Sequence, residues 1–208
     1  MSNERCDPVE LNCVLAVCNG GGVGARGGLP WPRLRGDMAR FYSLTTAAPP
    51  GCQNLVIMGR RTWESLPPKR RPLSGRINVV LSRTLREPPP GAHVLARSLD
   101  DALRLAAEFP FDRKPGNIWI IGGVALYLEA LSRPGPVRVF LTRILHNFPC
   151  DVQLPLECFA AFKRIEPLPG EAASVRRESG VAYVFESYIK DRGPVLNSSA
   201  AERPLEDL

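Results

Sequence analysis

Short apolar runs ended by glycine or polar residues alternate along this chain with segments of helical spacing. That alternation restricts the fold more than any other feature. The first run, Leu11–Cys18 (LNCVLAVC), is partly β-branched and stops at a glycine-rich stretch, so it reads as a buried strand. The same signal recurs at residues 54–58 (NLVIM), Ile77–Leu81 (INVVL), 93–95, 118–121 (IWII) and 137–142 (VRVFLT). Within 183–189, Tyr183, Phe185, Ser187 and Ile189 fall on one side, which suits an antiparallel strand near a sheet edge. Between the runs, Leu34, Met38, Phe41 and Thr45 recur at helical spacing within 34–46. Ser98-Leu99-Asp100-Asp101 resembles a capping box, with Asp in place of Glu, ahead of the apolar run 102–109. Residues 124–131 (VALYLEAL) read as a short apolar helix. Strands alternating with helices imply parallel β-α-β units. The expected architecture is a single-domain α/β fold: a mostly parallel central sheet, an antiparallel C-terminal strand and helices on both faces.

The 208 residues suit one domain and can bury a core without disulfides or metal. Residues 11–190 are expected to form that domain, 1–10 an N-terminal extension, and 191–208, mixed in charge and without period, a disordered tail. The 21 prolines, about twice the ~5% average usage, cluster in loops and point to fixed connections. The six cysteines contain no C-x-x-C pair and the two histidines are isolated, so no metal site is expected and the thiols read as small hydrophobes. No apolar run is long enough for a membrane span, and residues 1–11 are too polar for a signal peptide. The net charge of +6 is dominated by Arg, which grips phosphates and carboxylates, and it is scattered along the chain. An anionic ligand fits it and nucleic acid satisfies the same arithmetic, while a scattered excess most often marks a solvated surface.

Gly22-Val23-Gly24-Ala25-Arg26-Gly27 matches the G-x-G-x-x-G dinucleotide fingerprint after a predicted strand. The fingerprint needs a helix to follow, and Leu29-Pro30-Trp31-Pro32 forbids one. What remains is a mobile glycine loop beside a strand end, where α/β proteins bind ligands. Two other strand-to-helix turns suit phosphate better. Met58-Gly59-Arg60-Arg61-Thr62 combines a close backbone approach, helix N–H groups and charged donors, and Ile121-Gly122-Gly123-Val124-Ala125 repeats the design without charge. Together they could hold a dinucleotide pyrophosphate, and Ser82-Arg83-Thr84 past the next strand suits a ribose 2′-phosphate, favouring NADP over NAD. Asp37 neighbours the apolar face of Leu34, Met38 and Phe41. It serves either to complement the helix N-terminus or to act as a functional carboxylate.

These segments, in this order, resemble the dihydrofolate reductase family in its vertebrate type. The resemblance rests on Leu29-Pro30-Trp31-Pro32, Gln53 to Gly59, Arg71-Pro72-Leu73, Gly75 to Asn78, Leu81-Ser82-Arg83, Arg97 to Leu103, Trp119-Ile120 with Gly122-Gly123, and Leu141 to Ile144. It implies an NADPH-dependent oxidoreductase, a cytoplasmic monomer with nuclear entry as a second location. The enzyme would reduce 7,8-dihydrofolate to tetrahydrofolate for one-carbon metabolism and nucleotide precursors, and bind antifolates such as methotrexate. Asp37 falls on the family's active-site carboxylate, which holds the pterin and assists protonation, with Thr142, Leu29 and Trp31 as its catalytic companions. Val14, Leu15, Met38, Phe41, Leu66, Arg70, Ile121 and Tyr127 complete the implied substrate pocket, and Arg76 matches the arginine for the glutamate α-carboxylate. Ala16, Val23, Gly24, Arg60, Arg61, Thr62, Ser82, Arg83, Arg97, Gly122, Gly123, Val124, Ala125 and Leu126 match the cofactor positions, Gly122-Gly123 as a cis link. The loop 19–28 would close over the nicotinamide.

The chain departs from the vertebrate pattern at several points. Asp37 stands where Glu is usual, Met38 where an aromatic packs, Arg70 where Asn stands, Arg60-Arg61 for a Lys-Lys pair, and Gly28 for an Asp. Two other readings compete. One is a reductase of the same fold acting on another heterocycle, such as a pyrimidine intermediate of flavin synthesis, against which Arg76 and the Asp37–Thr142 pair argue. The other is a non-catalytic copy using Pro68-Lys69-Arg70-Arg71 as a basic patch, against which the full set of pocket residues argues.

Overall fold

The computed structural model describes residues 10–108, 111, 113–166, 168, 171 and 174–190. Its strands in chain order are β1 (Leu11–Cys18), β2 (Gly22–Gly24), β3 (Cys52–Gly59), β4 (Ile77–Leu81), β5 (Val94–Ala96) and β6 (Lys114–Ile120). There follow β7 (Val137–Ile144), β8 (Val152–Gln153), β9 (Lys163–Ile165), β10 (Arg176–Glu178) and β11 (Val181–Lys190). The α-helices are α1 (Arg35–Thr46), α2 (Arg60–Ser65), α3 (Leu99–Glu108) and α4 (Val124–Ser132). The expected tail at 191–208, the extension apart from Glu10, Cys6 and Phe109 lie outside the described residues.

The main sheet runs β10-β11-β7-β1-β6-β3-β4-β5, with β9 also paired to β11. From β7 to β5 every pairing is parallel, while β11 runs antiparallel to β7, β9 and β10. This is the expected α/β sheet with its reversed C-terminal strand. β11 is not itself the rim, because β9 and β10 flank it. Those short, exposed and charged strands carry no apolar signal, and sequence reasoning did not anticipate them.

Side chains alternate across the sheet, so each strand serves two layers. Leu11, Cys13, Leu15 and Val17 of β1 join Leu55, Ile57, Val139 and Leu141 beneath α3 and α4. Val14, Val56, Met58, Trp119, Ile121 and Phe140 face the other way, against Trp63 of α2 and Phe41 and Leu44 of α1. Helices therefore cover both faces, and strands buried on both sides read as continuous apolar runs. Asn54 is fully buried and joins layers: its Nδ2 donates to the carbonyls of Thr45 and Ala47 at 3.0 Å each, and its Oδ1 accepts from Asn117 N at 2.8 Å. The end of α1 is thus tied to β3 and β6. Cys13 and Cys18 are core residues as expected, and the cysteines 13, 18, 52, 150 and 158 are all free thiols.

Candidate active site

Strand β1 lies between β7 and β6, where the strand order reverses, and beyond the ends of such strands is the crevice in which open α/β sheets place ligands. Helix α1 crosses that crevice and presents Asp37 in its first turn. Thr142 on β7, buried beside Ala16 of β1, donates its hydroxyl to Asp37 Oδ1 at 2.7 Å. Burial pushes the Asp37 carboxyl above its ordinary range, against the lowering effects of the Thr142 hydrogen bond and of Arg40, while Glu178 raises it further. Asp37 is therefore set to hold a proton more readily than a surface aspartate.

Asp37, Phe41 and Thr45 follow one another at four-residue spacing on one face of α1, over a rise of about 12 Å. Arg76 stands at the far end, buried to 4% exposure, donating from Nη1 to Thr45 Oγ1 at 2.7 Å and from Nε to Ser74 O at 3.0 Å. Its guanidinium lies 5.8 Å from the Phe41 ring centre and 5.4 Å from that of Tyr42. The Arg76 turn is shaped by buried Asn78, which accepts from Leu73 N and donates to the carbonyls of Leu73 and Arg76. Among the described residues no carboxylate pairs with Arg76 within ion-pair distance. Burial lowers its proton affinity, as it does for a cation taken from water without an anion beside it. A carboxylate, an aromatic ring and a guanidinium thus follow one another along this face of α1.

The other expected pocket residues distribute as follows. Leu29 is 54% exposed and Met38 39%, both large apolar side chains open to solvent. Phe41 and Leu66 are half-buried against the Trp119–Phe140 layer, and Ile121 and Val14 are buried within it. Tyr127 is buried and donates its hydroxyl to Val14 O at 2.8 Å, so it orders the strand backbone beside the site. Leu15 packs its side chain in the α3–α4 layer, on the opposite side of β1 from Val14. Leu126 and Tyr127 likewise pack in that layer. Trp31 is buried against Phe148 with Nε1 unpartnered among the described residues, and so is Nε1 of Trp119. Arg70 is exposed in the 3-10 turn Pro68–Arg70, and Lys69 beside it is exposed too.

The two glycine turns that were expected to act together do meet. Gly122-Gly123 is a cis peptide, as the resemblance implied, and Gly122 O accepts from Gly59 N at 2.8 Å. The nearest atoms to a Cβ on Gly59 would be those of Gly122 and Gly123 at 3.8 Å or more, and Thr62 Oγ1 flanks both glycines at 3.4–3.5 Å. Helices α2 and α4 start there, with Val124 half-buried and Ala125 exposed in the first turn of α4. Arg61 and Arg83 are exposed nearby in sequence to these turns. Three expected phosphate ligands have internal partners. Arg60 bonds Glu64 at 2.6 Å and Thr84 at 3.3 Å, Arg97 donates to the carbonyls of Ser82 and Leu85, and the Ser82 hydroxyl accepts from Leu85 N at 3.1 Å.

The glycine segment 19–28 makes backbone pairs of its own. Gly22 and Gly24 of β2 pair with β8, and Ala25 and Gly28 exchange backbone bonds around Arg26 and Gly27, both with left-handed φ. That is a tight hairpin turn and no helix start, so the dinucleotide fingerprint fails as read. Asp151 ties it down by accepting from Arg26 N at 2.8 Å. A Cβ on Gly22 would stand 2.3 Å from Cys150 Sγ and 2.7 Å from Cys18 Sγ, so only glycine fits. Val23 between these glycines is half-buried against the α3–α4 layer.

Sequence reasoning missed three charged or polar partners of this site: Arg40, Glu178 and Tyr183. Arg40 is buried one turn after Asp37, paired with Glu171 at 2.6 Å and 4.3 Å from the Phe185 ring centre. Position 40 falls off the stripe of Leu34, Met38, Phe41 and Thr45, so the 34–46 pattern carried no signal for its burial.

A family model described as dihydrofolate reductase matches residues 10–190. A Human herpesvirus 8 protein named after dihydrofolate reductase is 57% identical over 184 residues, covering 88% of this chain and 87% of that protein. The dihydrofolate reductase of Bos taurus is 48% identical over 182 residues, 87% of this chain and 97% of its own length. The solved Schistosoma mansoni dihydrofolate reductase superposes with a TM-score of 0.77 at 40% identity, over 87% of this chain and 98% of that one.

Proposed function

Because the chain belongs to the dihydrofolate reductase family, we propose that it reduces 7,8-dihydrofolate to tetrahydrofolate with NADPH, and that Asp37 assists the protonation. The observation that carries this is the row along α1: the Asp37 carboxyl, raised by burial and bonded to Thr142, at one end, and at the other the buried Arg76 guanidinium, which has no anion beside it among the described residues. Dihydrofolate has matching ends: a pterin with an amidine-like edge, a benzoyl ring, and a glutamate carboxylate. Asp37 would take the pterin edge in two hydrogen bonds and Arg76 the α-carboxylate, a charge-assisted bidentate pair. Phe41, Met38, Leu29 and Leu66 would cover the rings, which gives the exposed Leu29 and Met38 an apolar partner.

NADPH supplies a hydride when bound. The adjoining glycine turns fit such a ligand, since Gly59 and Gly122-Gly123 bring two backbones together without side chains and helix N–H groups start at Gly59 and Gly123. Thr62, Arg61 and Arg83 would hold its phosphates, with Arg60, Arg97 and Ser82 shaping the same turns. Ala16, Gly24, Val124 and Ala125 would line the rest. The chain's own contribution is alignment of two rings in a dry crevice, with the Asp37 carboxylate assisting protonation through a water or by polarising the pterin edge. Trp31 Nε1 offers an unspent donor within that wall. The hairpin 22–28, braced by Asp151, would exclude water over the reacting rings. Binding of antifolates such as methotrexate and a monomeric state belong to the same proposal. Among the described residues no helix is long and apolar enough to cross a membrane.

The test is Asp37→Asn. Turnover of dihydrofolate at neutral pH is expected to fall by about 10²–10⁴ while NADPH affinity stays unchanged. Equal losses of both would remove Asp37 from the role given to it.

A further inference from the structure

Helix α1 carries Asp37 but supplies no cap of its own. Its N-cap position is Leu34, which has no side-chain acceptor, and Gly36 follows in the first turn. The acceptor arrives from the far end of the chain. Glu178, the last residue of β10, accepts from Arg35 N at 2.5 Å with Oε2 and from Gly36 N at 3.0 Å with Oε1. Tyr183 on β11 donates its hydroxyl to Glu178 Oε1 at 2.5 Å. Both residues belong to one hairpin, in which Glu178 opposes Val181 and the turn residues Ser179 and Gly180 both have left-handed φ. Gly36 is required at this junction: a Cβ there would stand 2.4 Å from Tyr183 Oη and 2.6 Å from Glu178 Oε1.

We propose that Glu178 is a positioning residue for Asp37: delivered by the β10–β11 hairpin and aimed by Tyr183, it caps α1 and so fixes where the Asp37 carboxylate stands against Thr142. The inference rests on the reading of Asp37 as the proton-assisting group. The peptide after Gly36 carries Asp37, so the cap constrains the residue immediately before the reactive one. The cap also acts through charge. Hydrogen bonds from Tyr183 and from the two backbone N–H groups hold the Glu178 carboxyl below its ordinary range, so it stays ionised at neutral pH. The groups facing Asp37 are Thr142 from β7, Arg40 from α1, Glu178 from β10, Tyr183 from β11 and Tyr127 from α4. Of these, Arg40 favours the ionised Asp37 and Glu178 favours the protonated one.

The experiment compares Glu178→Ala, Glu178→Gln and Tyr183→Phe in the full chain. The readouts are a carbon-13 NMR titration of the Asp37 carboxyl without ligands, and kcat and KM for dihydrofolate against pH. Both Glu178 variants lose the charge and are expected to move the Asp37 midpoint downward. Glu178→Ala also loses the cap, and its kcat is expected to fall roughly tenfold to a hundredfold with NADPH affinity unchanged. Glu178→Gln keeps an acceptor for the helix and should retain most of kcat at its own best pH. Tyr183→Phe, the mildest change, should fall between wild type and Glu178→Ala. An unmoved Asp37 midpoint in folded Glu178→Ala, or equal kcat loss in Ala and Gln, overturns the proposal. A shifted midpoint in a chain whose wild type does not turn over dihydrofolate would overturn the functional reading while supporting the positioning role.

Discussion

Replacing Arg76 by Met tests the far end of the row along α1. The guanidinium is buried, and its partners within the protein are Thr45 Oγ1, Ser74 O and the faces of Phe41 and Tyr42. A methionine fits the same apolar walls. Thr45 keeps its own bond to Phe41 O at 2.7 Å, and the free protein loses two charge-assisted bonds from Arg76, each worth about 1.5–3 kcal/mol. Removing a buried cation offsets part of that cost. Ligand binding should suffer separately. Hydrogen bonds to charged groups contribute about 1.5–3 kcal/mol, so affinity for dihydrofolate is expected to fall roughly 10- to 150-fold. The assay is a fluorescence titration with dihydrofolate and with its analogue lacking the glutamate. Wild type should prefer the full substrate, and Arg76→Met should bind the two alike while keeping a cooperative melting transition. A loss of the same size for both ligands would refute the assignment of Arg76 to the carboxylate.

Other outcomes follow from the same geometry. Burial raises the Asp37 carboxyl, so the folded state binds more protons than the unfolded one, and the resulting destabilisation is absent below the unfolded pKa and grows as pH rises through the folded value. Asp37→Asn should therefore raise the melting temperature at neutral pH and lose that advantage in acid; a variant less stable at both would contradict the burial cost. Glu171→Ala leaves Arg40 buried without its anion and should cost about 3–5 kcal/mol in denaturant unfolding, with no loss refuting the buried pair. Tyr127→Phe strands Val14 O and should cost about 1–3 kcal/mol, read the same way.

The strands β1, β3, β4, β6 and β7 were legible because they are buried on both faces and end at glycine or polar residues. The cap box at 98–101 was legible too: Ser98 Oγ accepts from Asp101 N at 3.1 Å, although Asp101 reaches back to Arg97 N instead of Ser98. Long-range polar partnerships left no comparable trace. Glu178 lies 143 positions from the helix it caps, and Glu171 lies 131 from Arg40, so neither forms a local spacing. The β2–β8 ribbon was hidden for a different reason. Gly22 is set by contact with Cys18 and Cys150 and Gly24 by contact with Val152, which a fingerprint match cannot register.

The most direct measurement is NADPH consumption by the purified chain on adding dihydrofolate, repeated with methotrexate and with Asp37→Ala. The account expects stoichiometric oxidation of NADPH that both controls abolish. A folded protein that binds NADPH but does not oxidise it, or whose turnover survives Asp37→Ala, would contradict it.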